Sequence, residues 1–245
     1  DGTPPYVVDY LVGGTPASIN VAGAGANLAV SPTTTTTYTL DFVTDSKGCT
    51  SSLSDDATLI VNEIPQITLT SPSETCDGDV IQLQFNFTAG AAPWMINYDV
   101  NGNPPTIIPI NNAIDSIAIS PSSTITYTIN SVTDNNSCVN NNAQTVVINT
   151  NPLPEVTLSG GGSICADGST TDINFNITSG IPPYNLQYSA GLNANFVSNI
   201  GTIFTISTDQ GGIYTIQSVT DSKGCSANSI SGSASVNVNP LSFSG

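Results

Sequence analysis

Between residues 81 and 87 apolar and polar positions alternate without a break, with Ile81, Leu83, Phe85 and Phe87 on one side and Gln82, Gln84 and Asn86 on the other. Ile173, Phe175 and Ile177 repeat the pattern against Asn174 and Asn176. Successive side chains of a strand point to opposite faces, so a period of two predicts strands buried on one side and wet on the other. The same reading places further strands at 66–70, 94–100, 106–110, 116–120, 124–132 and 145–149, with Pro, Gly, Asn and Asp filling the gaps. No stretch carries the i, i+3, i+4, i+7 stripe of an amphipathic helix.

The strands recur in blocks. TYTLDFVTDSKGC ends at Cys49, TYTINSVTDNNSC at Cys138 and TYTIQSVTDSKGC at Cys225, and the tyrosines Tyr38, Tyr127 and Tyr214 lie 89 and then 87 residues apart. Such a period is long enough for one domain per repeat. A second landmark keeps phase with it: Gly-Thr-Pro-Pro-Tyr at 2–6, Gly-Ala-Ala-Pro-Trp at 90–94 and Gly-Ile-Pro-Pro-Tyr at 180–184. The expected organisation is a partial repeat at 1–62 lacking its first strands, whole repeats at 63–151 and 152–240, and the start of a following repeat at 241–245. The chain is thus expected to be a window on a longer protein.

Seven short strands in under ninety residues, separated by turn signals, predict an all-β chain of tandem immunoglobulin-like antiparallel β-sandwich domains. Tyr6, Trp94 and Tyr184 then fall on the third strand of each domain and enter its core. Tyr38, Tyr127 and Tyr214 open the sixth, where a hydroxyl can bond back to nearby backbone. The proline-bearing linkers 61–65 and 149–154 are short, and proline fixes φ, so a stiff rod is expected.

Composition narrows the function. The chain has 2 basic residues, both lysine, 18 acidic residues and no histidine, for a formal net charge of -16. Nucleic acid is excluded as a partner, because affinity there comes from Lys and Arg neutralising phosphates. With 38% hydrophobic and only 8% charged residues the chain can fill packed cores, and its polar surface is built from Thr, Ser and Asn. No apolar run is long enough for a membrane helix, so no membrane insertion is expected in this segment.

Without histidine there is no Ser-His-Asp or Cys-His machinery, and acidic residues that recur with the repeat do not resemble a catalytic site built once. The expectation is that the chain is not an enzyme and carries no cofactor, with calcium as the one alternative. Calcium takes six to eight oxygens, and Asp77, Asp79 and Asp167 near one end of a domain, with Asp134 and Asp221 at the opposite turn, are the candidate ligands. The favoured role for these aspartates is turn chemistry, the capping of backbone donors, with a calcium site as the alternative.

The five cysteines fall into two classes, Cys76 and Cys165 in the turn after the first strand, Cys49, Cys138 and Cys225 in the turn before the last. Regular placement without CxxC spacing or histidine reads as a disulfide framework in an oxidising compartment. Spacing alone invites the in-domain pairs Cys76 with Cys138 and Cys165 with Cys225. In a seven-strand sandwich, however, the two turns lie at opposite ends, roughly a strand length of ~20 Å apart, whereas a disulfide joins Cα atoms no more than ~7 Å apart. Cys76 with Cys225, across a domain junction, is therefore favoured. Cys49, Cys138 and Cys165 would then pair outside the window.

The Gly-x-Pro-Pro-Tyr opening, the run Ser-Pro-Thr-Thr-Thr-Thr-Thr-Tyr-Thr at 31–39, Val-Thr-Asp-Ser-Lys-Gly-Cys at 43–49 and Ser-Ile-Cys-Ala-Asp-Gly at 163–168 together resemble the repeats of giant surface adhesins of Bacteroidota. That group includes SprB-type gliding adhesins and immunoglobulin-like or PKD-like repeat proteins exported by type IX secretion. The resemblance implies an extracellular, cell-surface stalk or filament for attachment or gliding. It also implies Ser116, in Asp115-Ser116-Ile117, as a glycosylation candidate. Partners on this reading are neighbouring repeats and a surface polysaccharide or other adhesion target. The alternatives are an array of carbohydrate-binding modules and a self-assembling filament or sheath subunit.

Overall fold

A computed structural model describes residues 2–242, so Phe243, Ser244 and Gly245 of the expected following repeat lie outside the described residues. Among the described residues there are strands and no helix. The first repeat holds β1 (Tyr6–Val12), β2 (Thr15–Val21), β3 (Thr36–Thr44), β4 (Thr50–Ser52) and β5 (Asp56–Leu59). The second holds β6 (Gln66–Thr70), β7 (Glu74–Cys76), β8 (Ile81–Ala89), β9 (Trp94–Val100), β10 (Thr106–Ile110), β11 (Ile114–Ile119), β12 (Ile125–Thr133), β13 (Val139–Asn140) and β14 (Gln144–Asn151). The third holds β15 (Glu155–Cys165), β16 (Thr171–Ile177), β17 (Tyr184–Ala190), β18 (Asn193–Ile200), β19 (Ile203–Thr208), β20 (Gly212–Thr220), β21 (Ser229–Ser231) and β22 (Ala234–Asn239).

In the second repeat the antiparallel sheet β11-β8-β6 faces the sheet β10-β9-β12-β14-β7. The alternation of β8 sends Leu83, Phe85 and Phe87 inward, where they meet Trp94, Ile96, Ile129, Val132 and Ile148 from the other sheet. Gln144 on β14 ties the two sheets at their edge: its Oε1 accepts the Leu69 N–H at 3.0 Å and its Nε2 donates to the Ile67 carbonyl. The third repeat builds the same sandwich around Phe175, Ile173, Tyr184, Leu186, Tyr214 and Val219.

The edge of each sandwich departs from a simple count of seven strands. In the third repeat β15 belongs to both layers, running antiparallel to β16 as far as Gly160 and then parallel to β22 from Gly161. Gly160 and Gly161 make the crossing at φ +101 and +82, and a Cβ on them would stand 2.2 Å from the Asp172 carbonyl oxygen and 2.4 Å from that of Ser235. Only glycine fits such a close backbone approach. The second repeat divides the task between β6 and β7, with Ser71, Pro72 and Ser73 between them. β7 runs parallel to the end of β14, which extends that strand to Asn151, two residues beyond the expected 149.

One irregularity recurs in all three repeats. The pairing of β1 with β3, β9 with β12 and β17 with β20 slips by one residue, leaving Asp41, Asn130 and Gln217 as the extra residue of a β-bulge. A bulge bends and twists the strand that carries it. The first repeat shows the sheet β2-β1-β3-β4, with β5 on β3, and no second layer among the described residues.

Candidate functional site: the domain junction

The turn that follows β3, β12 and β20 is organised each time by one carboxylate. Asp134 Oδ1 accepts the N–H groups of Asn136 and Cys138, and its Oδ2 accepts that of Ala91 at 3.0 Å. Asp221 receives Lys223, Cys225 and Ile181 in the same way, and Asp45 receives Lys47, Cys49 and Thr3. Each aspartate thus ties the late turn to the residue after the glycine that precedes the third strand (Thr3, Ala91 or Ile181) and presents a cysteine at a fixed point. Burial opposes ionisation of Asp134, but the N–H donors of Ala91, Cys138 and Asn136 outweigh it and hold its carboxyl below the usual range. Donation from Thr3, then Cys49 and Lys47, does the same for Asp45.

At the junction of the second and third repeats this turn meets the early turn of the preceding domain. Cys76, at the end of β7, is joined to Cys225 by a disulfide with Cα atoms 5.5 Å apart and a sequence separation of 149 residues. Cys225 is buried. Beside it Lys223 Nζ lies 2.8 Å from Glu74 Oε2, and that hydrogen bond, reinforced by the ammonium charge, lowers the Glu74 carboxyl from its ordinary range. The Asp77 N–H donates to the Asn151 carbonyl at 2.9 Å, so the early turn is also fastened to the last residue of its own domain. Nothing in the sequence pattern singles out Glu74. Its only signal is that Lys223 is one of two lysines in the chain and sits two residues before a cysteine.

Cys49 and Cys165 are exposed free thiols and Cys138 is a half-buried one. Of the calcium candidates, Asp134 and Asp221 give both carboxylate oxygens to backbone donors, and Asp167 accepts from the Ser169 N–H at 2.9 Å. Asp77 and Asp79 lie in the early turn of the second domain. Among the described residues no three His, Cys, Asp or Glu side chains gather as a metal-binding group. Ser116 is exposed on β11, its N–H donating to Asp115 Oδ1 at 2.8 Å.

Trp94, Tyr127, Tyr184 and Tyr214 are buried in the cores of the second and third repeats, whereas Tyr6, expected in a core, and Tyr38 are only half-buried, because the sheet that carries them has no second layer among the described residues. Tyr184 Oη donates to the Ser179 carbonyl and Tyr6 Oη to that of Gly2, while Tyr214 Oη donates to the Gln210 carbonyl at 3.0 Å. Trp94 stacks on Phe87 with ring centroids 4.3 Å apart, and its buried indole N–H has no acceptor among the described residues.

The fold and junction define a class: the chain is a tandem array of immunoglobulin-like β-sandwich repeats with a disulfide across a domain boundary. No family model matches it. Nucleoporin POM152 of Saccharomyces cerevisiae is 29% identical over 167 residues, which is 61% of this chain and 12% of that protein, so the chain spans about an eighth of that relative's length. Among solved structures, the fibronectin(III)-like modules of Clostridium thermocellum CbhA align over 71% of this chain and 95% of theirs, at 11% identity and a TM-score of 0.36. Trypsin-activated alpha-2-macroglobulin from Escherichia coli aligns over 98% of this chain and 21% of its own, at 9% identity and a TM-score of 0.27.

Proposed function

We propose that the chain is a non-enzymatic stalk segment of a large bacterial surface adhesin, a stiff spacer that holds an adhesive element away from the cell. The observation that carries this reading is the Cys76–Cys225 link, which joins consecutive domains instead of closing one. A disulfide of this kind persists in oxidising surroundings, which favours an extracellular position. The linkers support stiffness: Pro65 and Pro154 are both buried, and the Asn140 Nδ2 donates to the Pro65 carbonyl at 2.7 Å. The resemblance of the repeat motifs to gliding adhesins supplies the bacterial setting and export by type IX secretion. Specific targets on this reading are surface polysaccharides.

The test combines position and shape. Antibodies to this segment should label intact cells, and small-angle scattering of the native chain should give an elongated particle that loses stiffness on reduction. Labelling only after cell lysis, together with free thiols at Cys76 and Cys225, would sink the reading. The identity with Nucleoporin POM152 favours a second reading, a structural repeat of a nucleoporin. Antibody staining confined to the nuclear envelope would select it.

A further inference from the structure

In all three repeats the strand after the Gly-x-Pro landmark strand forms the outer edge of its sheet. Among the described residues β2 pairs with β1, β10 with β9 and β18 with β17, and each leaves its other side unpaired. Such an edge presents a row of free backbone N–H and C=O groups and is a template for a further strand. Two of the three edges are blunted: Pro16 lies in β2 and Pro109 in β10, and proline has no N–H to offer. The third is not. β18 contains neither proline nor a charged residue over Asn193–Ile200.

Charge is missing from its surroundings as well. β17, β18 and β19 hold no Asp, Glu, Lys or Arg, whereas the corresponding strands of the second repeat carry Asp99 and Asp115. In a chain of net charge -16, two copies repel each other across most approaches, and this flank of the third repeat is one where they meet without fixed charge. Phe196, in the middle of the edge, is 69% exposed.

The ladder shows which backbone groups are free. Ala190 pairs with Asn193 across the two-residue turn Gly191-Leu192, with Gly191 at φ +62. A turn of this length closes on a hydrogen-bonded pair, and hydrogen-bonded and non-hydrogen-bonded pairs alternate along an antiparallel ladder. Asn193, Asn195 and Val197 therefore bond to β17, while Ala194, Phe196 and Ser198 turn their N–H and C=O groups to the free edge. The first repeat builds the same hairpin with Gly13-Gly14 in the turn and Val12 opposite Thr15, which puts Pro16 at the place of Ala194.

We propose that β18 is a self-pairing edge, through which two copies of this chain join their third repeats antiparallel into one continuous sheet. The free-edge residues are symmetric about the middle one, and this symmetry selects a second copy as the occupant. A two-fold axis at Phe196 sets Phe196 against Phe196 of the second copy and Ala194 against its Ser198, both as hydrogen-bonded pairs, so every free group on the edge finds a partner. The two phenyl rings become an aromatic cross-strand pair on the outer face. β2 and β10 are denied the same contact by their prolines. The pairing goes beyond the stalk reading and stands without it, because it depends on the edge and not on where the array is displayed.

The test is sedimentation equilibrium of the 245-residue chain, its free thiols alkylated so that no intermolecular disulfide contributes. A dimer is expected that tightens as salt screens the net charge. Amide exchange should slow with rising protein concentration at Ala194, Phe196 and Ser198 and stay constant at Asn195 and Val197. Ala194→Pro copies Pro16 of the first repeat, so the hairpin accommodates it, and it should weaken the dimer by an order of magnitude or more at an unchanged thermal midpoint. Phe196→Asp, which sets like charges opposite each other, should do the same and carries the test if the proline variant melts early. A chain that stays monomeric to millimolar concentration, a dimer that both variants leave intact, or concentration-dependent protection confined to the first repeat would each overturn the proposal. Antibody labelling of cells reads the stalk assignment separately, so either can fail alone.

Discussion

Lys223 reaches back over the boundary between the second and third domains to Glu74, its Nζ 2.8 Å from Oε2 and beside the Cys76–Cys225 link. Both side chains are about half exposed, so solvent and salt screen the pair and the disulfide dominates the junction. Lys223→Ala should leave the thermal midpoint of the oxidised protein unchanged. In the reduced protein the pair should matter more, because nothing covalent then holds the two turns together. The Glu74 carboxyl is lowered from its ordinary value of 4.5. Its contribution is therefore full above that pH and fades as pH falls through the lowered value. Scattering of the reduced chain against pH and salt measures this, with loosening expected in acid and at high ionic strength.

Reduction itself should separate two properties. Each domain has its own core, so the melting of the second and third domains should change little when the disulfide is cut, while their relative motion should grow. Cys225→Ser should reproduce the effect of reductant. Residual dipolar couplings of the two domains would read it, and a single shared alignment frame after reduction would contradict it.

Asp134 supports three backbone N–H groups from a buried position, and removing the acceptor strands them. Asp134→Ala should destabilise the second domain by about 2–3 kcal/mol, with Asp134→Asn intermediate because one acceptor oxygen survives. The carboxyl is held below its ordinary value of 3.8. Its stabilisation is thus complete above that pH and is lost as pH falls beneath it. Urea melts across pH 2–6 should show an acid-side slope that the Asn variant lacks.

Gly160 permits β15 to pass from one layer to the other. Gly160→Val would place side-chain carbon against the Asp172 carbonyl, at a φ of +101 that β-branched residues avoid. The third domain should fail to fold while the second melts normally, a contrast that calorimetry resolves. Phe175→Ala, by comparison, should lower the stability of the third domain by about 3–5 kcal/mol without abolishing it.

The strands and their inward faces were legible in the sequence because burial on one side of a sheet enforces a period of two, as at Ile81, Leu83, Phe85 and Phe87. Recurrence of the landmarks from repeat to repeat marked Trp94, Tyr127, Tyr184 and Tyr214 as core residues, but the same recurrence misplaced Tyr6, which stays half-buried on a sheet without a second layer among the described residues. What escaped has no period. β7 is three residues long and exists because β14 offers an edge to pair with. The crossing of β15 depends on consecutive glycines, whose meaning lies in the backbone they let approach. Glu74 acquires a role only from a lysine 149 residues away. The shared task of Asp45, Asp134 and Asp221 was visible as a recurrent aspartate in a turn, but the reach to Thr3, Ala91 and Ile181 is a fact of the folded chain.

The Cys76–Cys225 bond also decides how the molecule would respond to being pulled. A force applied to the two ends travels along the backbone to Cys76, crosses the sulfur bridge and leaves from Cys225. The 149-residue separation between them is bypassed, so most of two sandwiches is excused from the load. When the bridge is intact those strands cannot be drawn out. When it is reduced, they release a contour on the order of 500 Å at ~3.4 Å per residue. The junction therefore sets a length limit on the array that is chemical in origin and adjustable by redox state.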